Sequence, residues 1–333
     1  MNRVTVAAVQ AAPVYLDRAA TVARVLELTA EAARLGAKVI VFPEAFVPTY
    51  PDWIWRISPA DGALQDTFFE RWLANTVVVP GPDTELIGKA AKKARAFLVV
   101  GVNERVLRRG TVYNSILFYG PDGTLLSRRR KLMPTSSERV VWGMGDGSTL
   151  EVHQTPYGGL GGLICWENYM PLARFAMYAQ GIDLYCAPTW IWGKDQGWQA
   201  TLRHIALEGR VAVISAAIAN RTESVPDDLP GRDQLYGEPG WICPGGSVIV
   251  GPSGETLAGP LYDTEGILTA EIDLDEMATM RRTLDVAGHY ARPDVFRLVV
   301  NTSPRPIAEL SATEAPPLGR RFNEQERVPP RKT

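Results

Sequence analysis

Cysteine and histidine are both scarce in this sequence of 333 residues, which contains three of each. The cysteines form no CxxC pair, which argues against a disulfide framework and against a zinc knuckle. Their small number favours a reducing, cytoplasmic setting in which thiols stay available for chemistry. His153, His204 and His289 lack the HxxxH or HxxE spacing of a metal site, so we expect structural roles for them and no metal.

Long apolar runs and an excess of one charge are also missing. No run approaches the roughly 20 apolar residues that a membrane span needs. The start, MNRVTVAAVQAAP, is too short and too polar in its flanks for a signal peptide. With 35 basic and 37 acidic side chains, the formal net charge is −2. We therefore expect neither nucleic acid nor a membrane as a partner.

Glycine is plentiful, with 30 residues, yet no segment has the GxGxxG pattern between a strand and a helix. The glycine-rich segments GMGDG at 143–147 and GGLGG at 158–162 are interpreted as turns. The sequence thus predicts neither a nucleotide-binding domain nor an organic cofactor.

A helix, a glycine and a buried strand follow one another three times along the chain. After the alternating strand RVTVAAVQ, a helix begins at an Asp17 N-cap and ends at Gly36, and the strand AKVIVFPE follows. The same order returns with helices that end at Gly181 and Gly209. The segments GPDG, PYGG and GPSGE are hairpin signals. Buried αβ units mixed with hairpins predict an α/β fold of mixed sheets with helices outside.

We find no linker that would divide the chain, and we predict one domain over residues 1–302. A hydrophobic content of 46% is ample for a substantial core. Residues 303–333 differ from the rest, because they are rich in proline and charge and lack periodicity. They are interpreted as a tail that either wraps over a neighbour or is disordered.

Three side chains of chemical interest follow strand-like segments. Glu44 comes after KVIVFP, Lys131 after LLSRRR and Cys165 after GGLI. In open α/β sheets, chemistry tends to lie beyond the carboxyl ends of strands. Each residue alone also has a structural interpretation: Glu44 as a cap, Lys131 as the end of a solvated charge run, and Cys165 as a small buried apolar residue. Their joint context favours the chemical interpretation.

Together, these segments resemble the nitrilase superfamily, the Glu–Lys–Cys carbon–nitrogen hydrolases. AKVIVFPEAF is similar to the glutamate motif, RRRKLMPTSSER to the lysine motif and GGLICWENYMP to the cysteine motif. Cys-Trp-Glu after a glycine-rich strand is typical of the nitrile-hydrolysing branch, and AGHYARPDVFRLVV at 287–300 resembles a segment of that branch. The resemblance extends from AAVQAAP to about Val300 and implies an α-β-β-α sandwich, with two mixed sheets and helices outside.

The resemblance also implies catalytic roles for four residues. Glu44, Lys131 and Cys165 fall on the catalytic positions, and Glu138 matches a second glutamate of the lysine motif. We expect Cys165 to attack a nitrile, Glu44 to act as general base, and Lys131 to donate to the developing negative charge. A thioimidate and then a thioester would follow, with no metal or cofactor. Many nitrilases have histidine where this chain has Ser136, which puts the shape of this loop in doubt but leaves the four positions intact.

Nine tryptophans are many for this length, and several lie in PTYPDWIWR (48–56) and PTWIWGKDQGW (188–198). Because both segments follow catalytic motifs, they predict an apolar pocket for an aromatic or arylaliphatic nitrile. We expect Trp166, Trp190 and Tyr50 to lie nearest the substrate. The alternative is that most of the other tryptophans in these segments anchor the core or a subunit interface.

Two other functions stay open at this point. An amidase of the same superfamily would share the catalytic residues, and a scaffold protein would keep the fold with an inert Cys165. Burying Glu44, Lys131 and Glu138 without a task would be expensive, which argues against the scaffold. The resemblance further implies a homo-oligomer built from dimers, which the nitrilase branch often extends into spirals.

Overall fold

The computed structural model describes residues 2–107 and 109–305. The predicted tail falls largely on residues 306–333, which lie outside the described residues, so that interpretation stays a prediction. Within the described residues there is no helix long and apolar enough to cross a membrane.

The first sheet contains the amino-terminal strand and the segment that leads to Glu44. Its strands are β1 (Arg3–Gln10), β2 (Val39–Val41), β3 (Val77–Val78), β4 (Phe97–Arg105), β5 (Val112–Tyr119), β6 (Leu125–Arg130) and β14 (Gly266–Asp273). Their order is β14-β1-β2-β4-β5-β6, and β3 pairs with β4. The strands β1, β2 and β4 are parallel to one another, whereas β14 and β5 are antiparallel to their neighbours, so the sheet is mixed.

The second sheet contains the strand that leads to Cys165. Its strands are β7 (His153–Thr155), β8 (Gly158–Gly162), β9 (Ile182–Cys186), β10 (Ala212–Ser215), β11 (Ala219–Arg221), β12 (Trp241–Val250) and β13 (Thr256–Tyr262). Their order is β11-β12-β10-β9-β8-β7, and β13 pairs with β12. The segment GGLGG, interpreted above as a turn, forms β8 instead, because it pairs in parallel with β9 and antiparallel with β7.

Alternation along the strands divides the core into two clusters. Val4, Val6 and Ala8 of β1 pack with Leu184 and Ile214 of the second sheet, so this cluster lies between the sheets. The intervening residues of the strands face the helices. The helices are α1 (Arg18–Arg34), α2 (Gly62–Ala74), α3 (Pro82–Ala94), α4 (Pro171–Ala179), α5 (Gln196–Gly209), α6 (Arg232–Tyr236) and α7 (Leu274–Met280). The expected sandwich of two mixed sheets with helices is confirmed.

Two glycines let the segments of the candidate site approach neighbouring strands. A Cβ on Gly101 of β4 would lie 2.1 Å from the carbonyl oxygen of Pro43, which precedes Glu44. A Cβ on Gly162, at the end of β8, would lie 2.0 Å from the carbonyl oxygen of Cys186. A real Cβ does not tolerate such contacts, so a larger residue at either position would push the segment away.

Candidate active site

Glu44 lies in the bend after β2, and its side chain is completely buried. Its Oε1 atom accepts hydrogen bonds from Asn114 Nδ2 and Lys131 Nζ, both at 2.7 Å. Its Oε2 atom accepts one from the backbone N–H of Trp190 at 2.9 Å. Both carboxylate oxygens are therefore held by donors from three different segments of the chain.

Lys131 directly follows β6, and its ammonium group lies between two carboxylates. The Nζ atom is 2.7 Å from Glu44 Oε1 and 2.8 Å from Glu138 Oε2. The lysine side chain has no exposed surface, so the interpretation as the solvated end of a charge run is wrong. A buried ammonium that contacts two carboxylates satisfies the requirement that buried charges be paired.

Glu138 belongs to the short 3₁₀ turn Ser136–Val140. Its Oε2 atom accepts from the backbone N–H of Thr135 at 2.6 Å as well as from Lys131. Its Oε1 atom accepts from the hydroxyl of Tyr50 at 2.8 Å. Glu138 thus joins the ammonium of Lys131 to an aromatic side chain from the segment that follows Glu44.

Cys165 begins a 3₁₀ turn, Cys165–Tyr169, just after β8. Its φ of 49° is in the left-handed region, which is uncommon for a residue other than glycine. The side-chain amide of Asn168 stabilises the turn by donating to the carbonyls of Cys165 and Leu163, at 2.7 and 3.1 Å. A strained backbone conformation of this kind is typical of functional sites, and it persists where contacts with the surrounding structure hold it in place.

The segment Pro188–Trp190, directly after β9, contacts both Cys165 and Glu44. The carbonyl of Pro188 accepts from the Cys165 N–H at 2.9 Å. The Thr189 hydroxyl donates to Cys165 Sγ at 3.3 Å, and the thiol lies 3.6 Å from the carbonyl oxygen of Trp190. Because the Trp190 N–H also binds Glu44, this one segment joins the thiol to the carboxylate.

Burial dominates the electrostatics of the site. It raises the pKa of Glu44, although the charge of Lys131 opposes this effect. It also raises the pKa of the Cys165 thiol well above its usual range, an effect strengthened by Glu44 and opposed by Lys131. Burial alone would lower the pKa of Lys131, but Glu44 and Glu138 raise it above its usual value. The resting site therefore holds a neutral thiol beside a charged lysine.

The structure brings Tyr50 and Trp190 together, with rings stacked 4.1 Å apart at 3° between planes. Trp55 Nε1 donates to the Tyr50 hydroxyl at 3.1 Å, and the ring of Trp142 meets Tyr50 edge-on at 5.4 Å. The side chain of Trp166, the third residue expected near the substrate, is 53% exposed and packs against Tyr169.

Three features of the site were missed from the sequence. Thr189 follows a strand, so the expectation that chemistry lies beyond strand ends could have identified it. Asn114 lies inside β5, where no feature of the sequence distinguishes it from other strand residues. The third is a buried ion pair in which Arg129 binds both carboxylate oxygens of Glu167 at 2.8 Å. Glu167 also accepts from the backbone N–H of Leu132 at 2.6 Å. This pair therefore joins the Lys131 segment to the Cys165 turn.

Known proteins resemble the chain over most of its length. A family model described as carbon-nitrogen hydrolase matches residues 5–282. The chain is 46% identical over 310 residues to an aliphatic nitrilase of Sinorhizobium fredii (strain HH103), covering 92% of this chain and 98% of that protein. It is 42% identical over 315 residues to Nitrilase 1 of Arabidopsis thaliana, covering 91% of this chain and 88% of that protein.

Among solved structures, Saccharomyces cerevisiae Nit3, a member of branch 10 of the nitrilase superfamily, aligns with a TM-score of 0.69. Its 20% identity extends over 86% of this chain and 96% of that one, and it supports the fold alone. The chain belongs to the carbon–nitrogen hydrolase family of the nitrilase superfamily. Within that class it is an enzyme of the nitrilase type, since the relatives at 46% and 42% identity are nitrilases. The resemblance carried by the three motifs is confirmed.

Proposed function

We propose that the protein hydrolyses an organic nitrile to the carboxylic acid and ammonia through a covalent intermediate on Cys165. The observation that carries the proposal is the buried chain Glu44–Lys131–Glu138, which is joined to the thiol by the segment Pro188–Trp190. It supplies a base, a cationic donor and a nucleophile within one buried network, which is the combination that covalent catalysis uses.

In the first step, Glu44 takes the thiol proton while Cys165 Sγ attacks the nitrile carbon. A bond forms between sulfur and carbon, one C–N π bond breaks, and the proton passes from Glu44 to nitrogen, which gives a thioimidate. Burial suits this exchange, because a raised pKa makes Glu44 a better proton acceptor and still allows it to return the proton.

In the second step, a water adds to the thioimidate carbon, and ammonia leaves to give a thioester. A second water then releases the carboxylic acid and restores the thiol, with Glu44 removing the water protons. Lys131 donates to the negative charge that develops in each addition, and one such donor is worth about 3–4 kcal/mol. The N–H of Trp166, at the start of the helical turn, is the proposed second donor.

We propose an aromatic or arylaliphatic nitrile as the substrate. The rings of Tyr50 and Trp190 are stacked, the Tyr50 hydroxyl donates to Glu138 and the Trp190 backbone N–H donates to Glu44, which supports an apolar pocket beside the thiol. We assign Trp166 to the pocket entrance, because its side chain is exposed while its backbone adjoins the nucleophile. The Sinorhizobium relative is named for aliphatic nitriles, so aliphatic substrates are the alternative to test.

We further propose that the enzyme is a homo-oligomer built from dimers that extend into spirals. Four exposed apolar side chains near the start of α4 support an interface there: Trp166, Tyr169, Met170 and Leu172. Sedimentation of the purified chain and of Leu172→Glu tests the assembly, and an unchanged size in the variant excludes this surface.

We propose a cytoplasmic location, which is supported by three free cysteines.

The activity test offers the purified protein aromatic, arylaliphatic and aliphatic nitriles beside their matching amides, with ammonia, acid and amide quantified. Cys165→Ala removes the nucleophile, and Cys186→Ala is the matched control because Cys186 is an equally buried thiol in β9. We expect ammonia from nitriles with the control but none with Cys165→Ala. Release from amides alone would make the protein an amidase, and no release from either by folded protein would favour the scaffold.

A further inference from the structure

The Thr189 hydroxyl occupies a position that neither the motifs nor the proposed steps account for. Thr189 is completely buried, and its backbone N–H donates to the carbonyl of Ala216 at 2.9 Å. Its hydroxyl donates to Cys165 Sγ at 3.3 Å. A β-branched residue with a fixed backbone has a stiff side chain, so the hydroxyl is aimed at the sulfur before any substrate arrives.

Proton transfer from Cys165 to Glu44 leaves the net charge of the site unchanged but moves a negative charge from oxygen to sulfur. The Glu44 carboxylate has three hydrogen-bond donors, namely Asn114, Lys131 and the Trp190 N–H. Within the described residues, the hydrogen bonds of Cys165 Sγ are the one from Thr189 and the weak one to the Trp190 carbonyl. A thiolate loses the second of these, because it has no proton to donate.

We propose that the Thr189 hydroxyl is a catalytic hydrogen-bond donor that stabilises Cys165 Sγ as an anion. The inference rests on the proposed role of Cys165 as the nucleophile. The hydroxyl contributes when the sulfur is charged: as Glu44 removes the proton, and again when the sulfur leaves the carbon in hydrolysis of the thioester. It contributes little to the neutral intermediates, in which the sulfur electron pair is shared with carbon.

Charged groups near the sulfur also act on it, and they are present in every variant of the test. Glu44 and Glu138 disfavour the thiolate, whereas Lys131 favours it. Lys131 is bonded to both carboxylates, so its charge is largely offset. A neutral donor in direct contact with the sulfur adds stabilisation that does not depend on this balance.

The test compares Thr189→Val, which has the same shape without the hydroxyl, with Thr189→Ser, which keeps it. The rate of alkylation of Cys165 by iodoacetamide is measured against pH, with Cys165→Ala to subtract other reaction. We expect Thr189→Val to move the midpoint of the alkylation rate against pH upward by about one to two pH units. A shift of this size corresponds to the loss of a hydrogen bond to a charged group. Thr189→Ser should return it close to the unmodified protein.

Hydrolysis of the best nitrile is measured in parallel. We expect Thr189→Val to lower kcat about tenfold with KM little changed, because the donor acts on the nucleophile and not on the bound substrate. Equal alkylation midpoints in the folded valine variant and the unmodified protein would overturn the proposal. If Thr189→Val does not fold, Thr189→Ala provides the same comparison. A protein that hydrolyses no nitrile would refute the proposed function, whereas the alkylation midpoint would still decide the role of Thr189.

Discussion

At the scale of single residues, we expect the environment of Glu44, the proposed general base, to set the pH dependence of the reaction. Burial raises the pKa of this carboxyl, and the hydrogen bond from Asn114 opposes that shift by stabilising the carboxylate. The base must be unprotonated, so activity is lost as the pH falls through the Glu44 pKa. We expect Asn114→Ala to raise that pKa and move the acid limb of kcat/KM to higher pH, by about one unit.

The control for this prediction is Asn75→Ala, because Asn75 bonds to Arg18 and Arg71 away from the site. A profile of kcat/KM against pH for the unmodified protein and both variants provides the measurement. If the acid limb of kcat/KM lies at the same pH in Asn114→Ala as in the unmodified protein, a group other than Glu44 determines it.

Trp190 provides a second prediction at this scale, about substrate range. Its ring stacks on Tyr50 and its backbone N–H donates to Glu44, so a smaller side chain would enlarge the proposed pocket without removing the N–H donor. We expect Trp190→Ala to accept bulkier nitriles, as measured by kcat/KM over the substrate panel. Trp241→Ala is the control, because the Trp241 ring packs against the guanidinium of Arg221, and a Trp190→Ala profile equal to it would remove Trp190 from the pocket.

At the scale of elements, the Arg129–Glu167 ion pair connects the end of β6 to the turn that carries Cys165. Both side chains are at most 1% exposed. Glu167→Gln leaves Arg129 with an uncompensated charge, and breaking a buried pair from one side costs about 3–5 kcal/mol. We expect a loss of that size in the free energy of unfolding, measured in urea.

The exposed pair of Arg292 and Asp294 is the matched control, because both side chains are more than 60% exposed. Asp294→Asn should change the stability by less than about 1 kcal/mol. A similar, small change in Glu167→Gln would show that the buried pair does not stabilise the fold.

The ends of the helices show which features a local sequence pattern predicts and which it does not. Gly36 and Gly181 adopt the left-handed conformation expected after α1 and α4, with φ of 91° and 77°. After α5, however, Gly209 is the last helical residue and Arg210 takes the left-handed conformation, with φ of 48°. Gly209 is small for another reason, since a Cβ there would lie 2.3 Å from the ring of Tyr178. A contact between α4 and α5 cannot be inferred from the local pattern of either helix.

At the scale of the whole molecule, the layer between the two sheets packs β2, which precedes Glu44, against β8, which precedes Cys165. Ile214 of β10 is completely buried in that layer. We expect Ile214→Ala to destabilise the protein by about 2–5 kcal/mol, through lost burial and the cavity that remains. Leu35→Ala, at a position 52% exposed, should change little, and equal losses in both variants would contradict this account of the core.

The sequence by itself predicted an α/β fold of mixed sheets, and its resemblance to the nitrilase superfamily indicated the four candidate catalytic residues. Strands with alternating apolar residues, helix caps and positions after strands are local features, so the sequence pattern alone can predict them. Only the tertiary structure decided which groups meet: Glu44 and the segment with Lys131 and Glu138 follow strands of the first sheet, Cys165 follows a strand of the second, and these three segments are far apart in sequence. The donor Asn114 became visible only then, because its hydrogen bond to Glu44 depends on how β2 and β5 are arranged in the first sheet and leaves no pattern in either strand. Thr189 follows a strand, but its contact with Cys165 likewise depends on the pairing of β8 with β9.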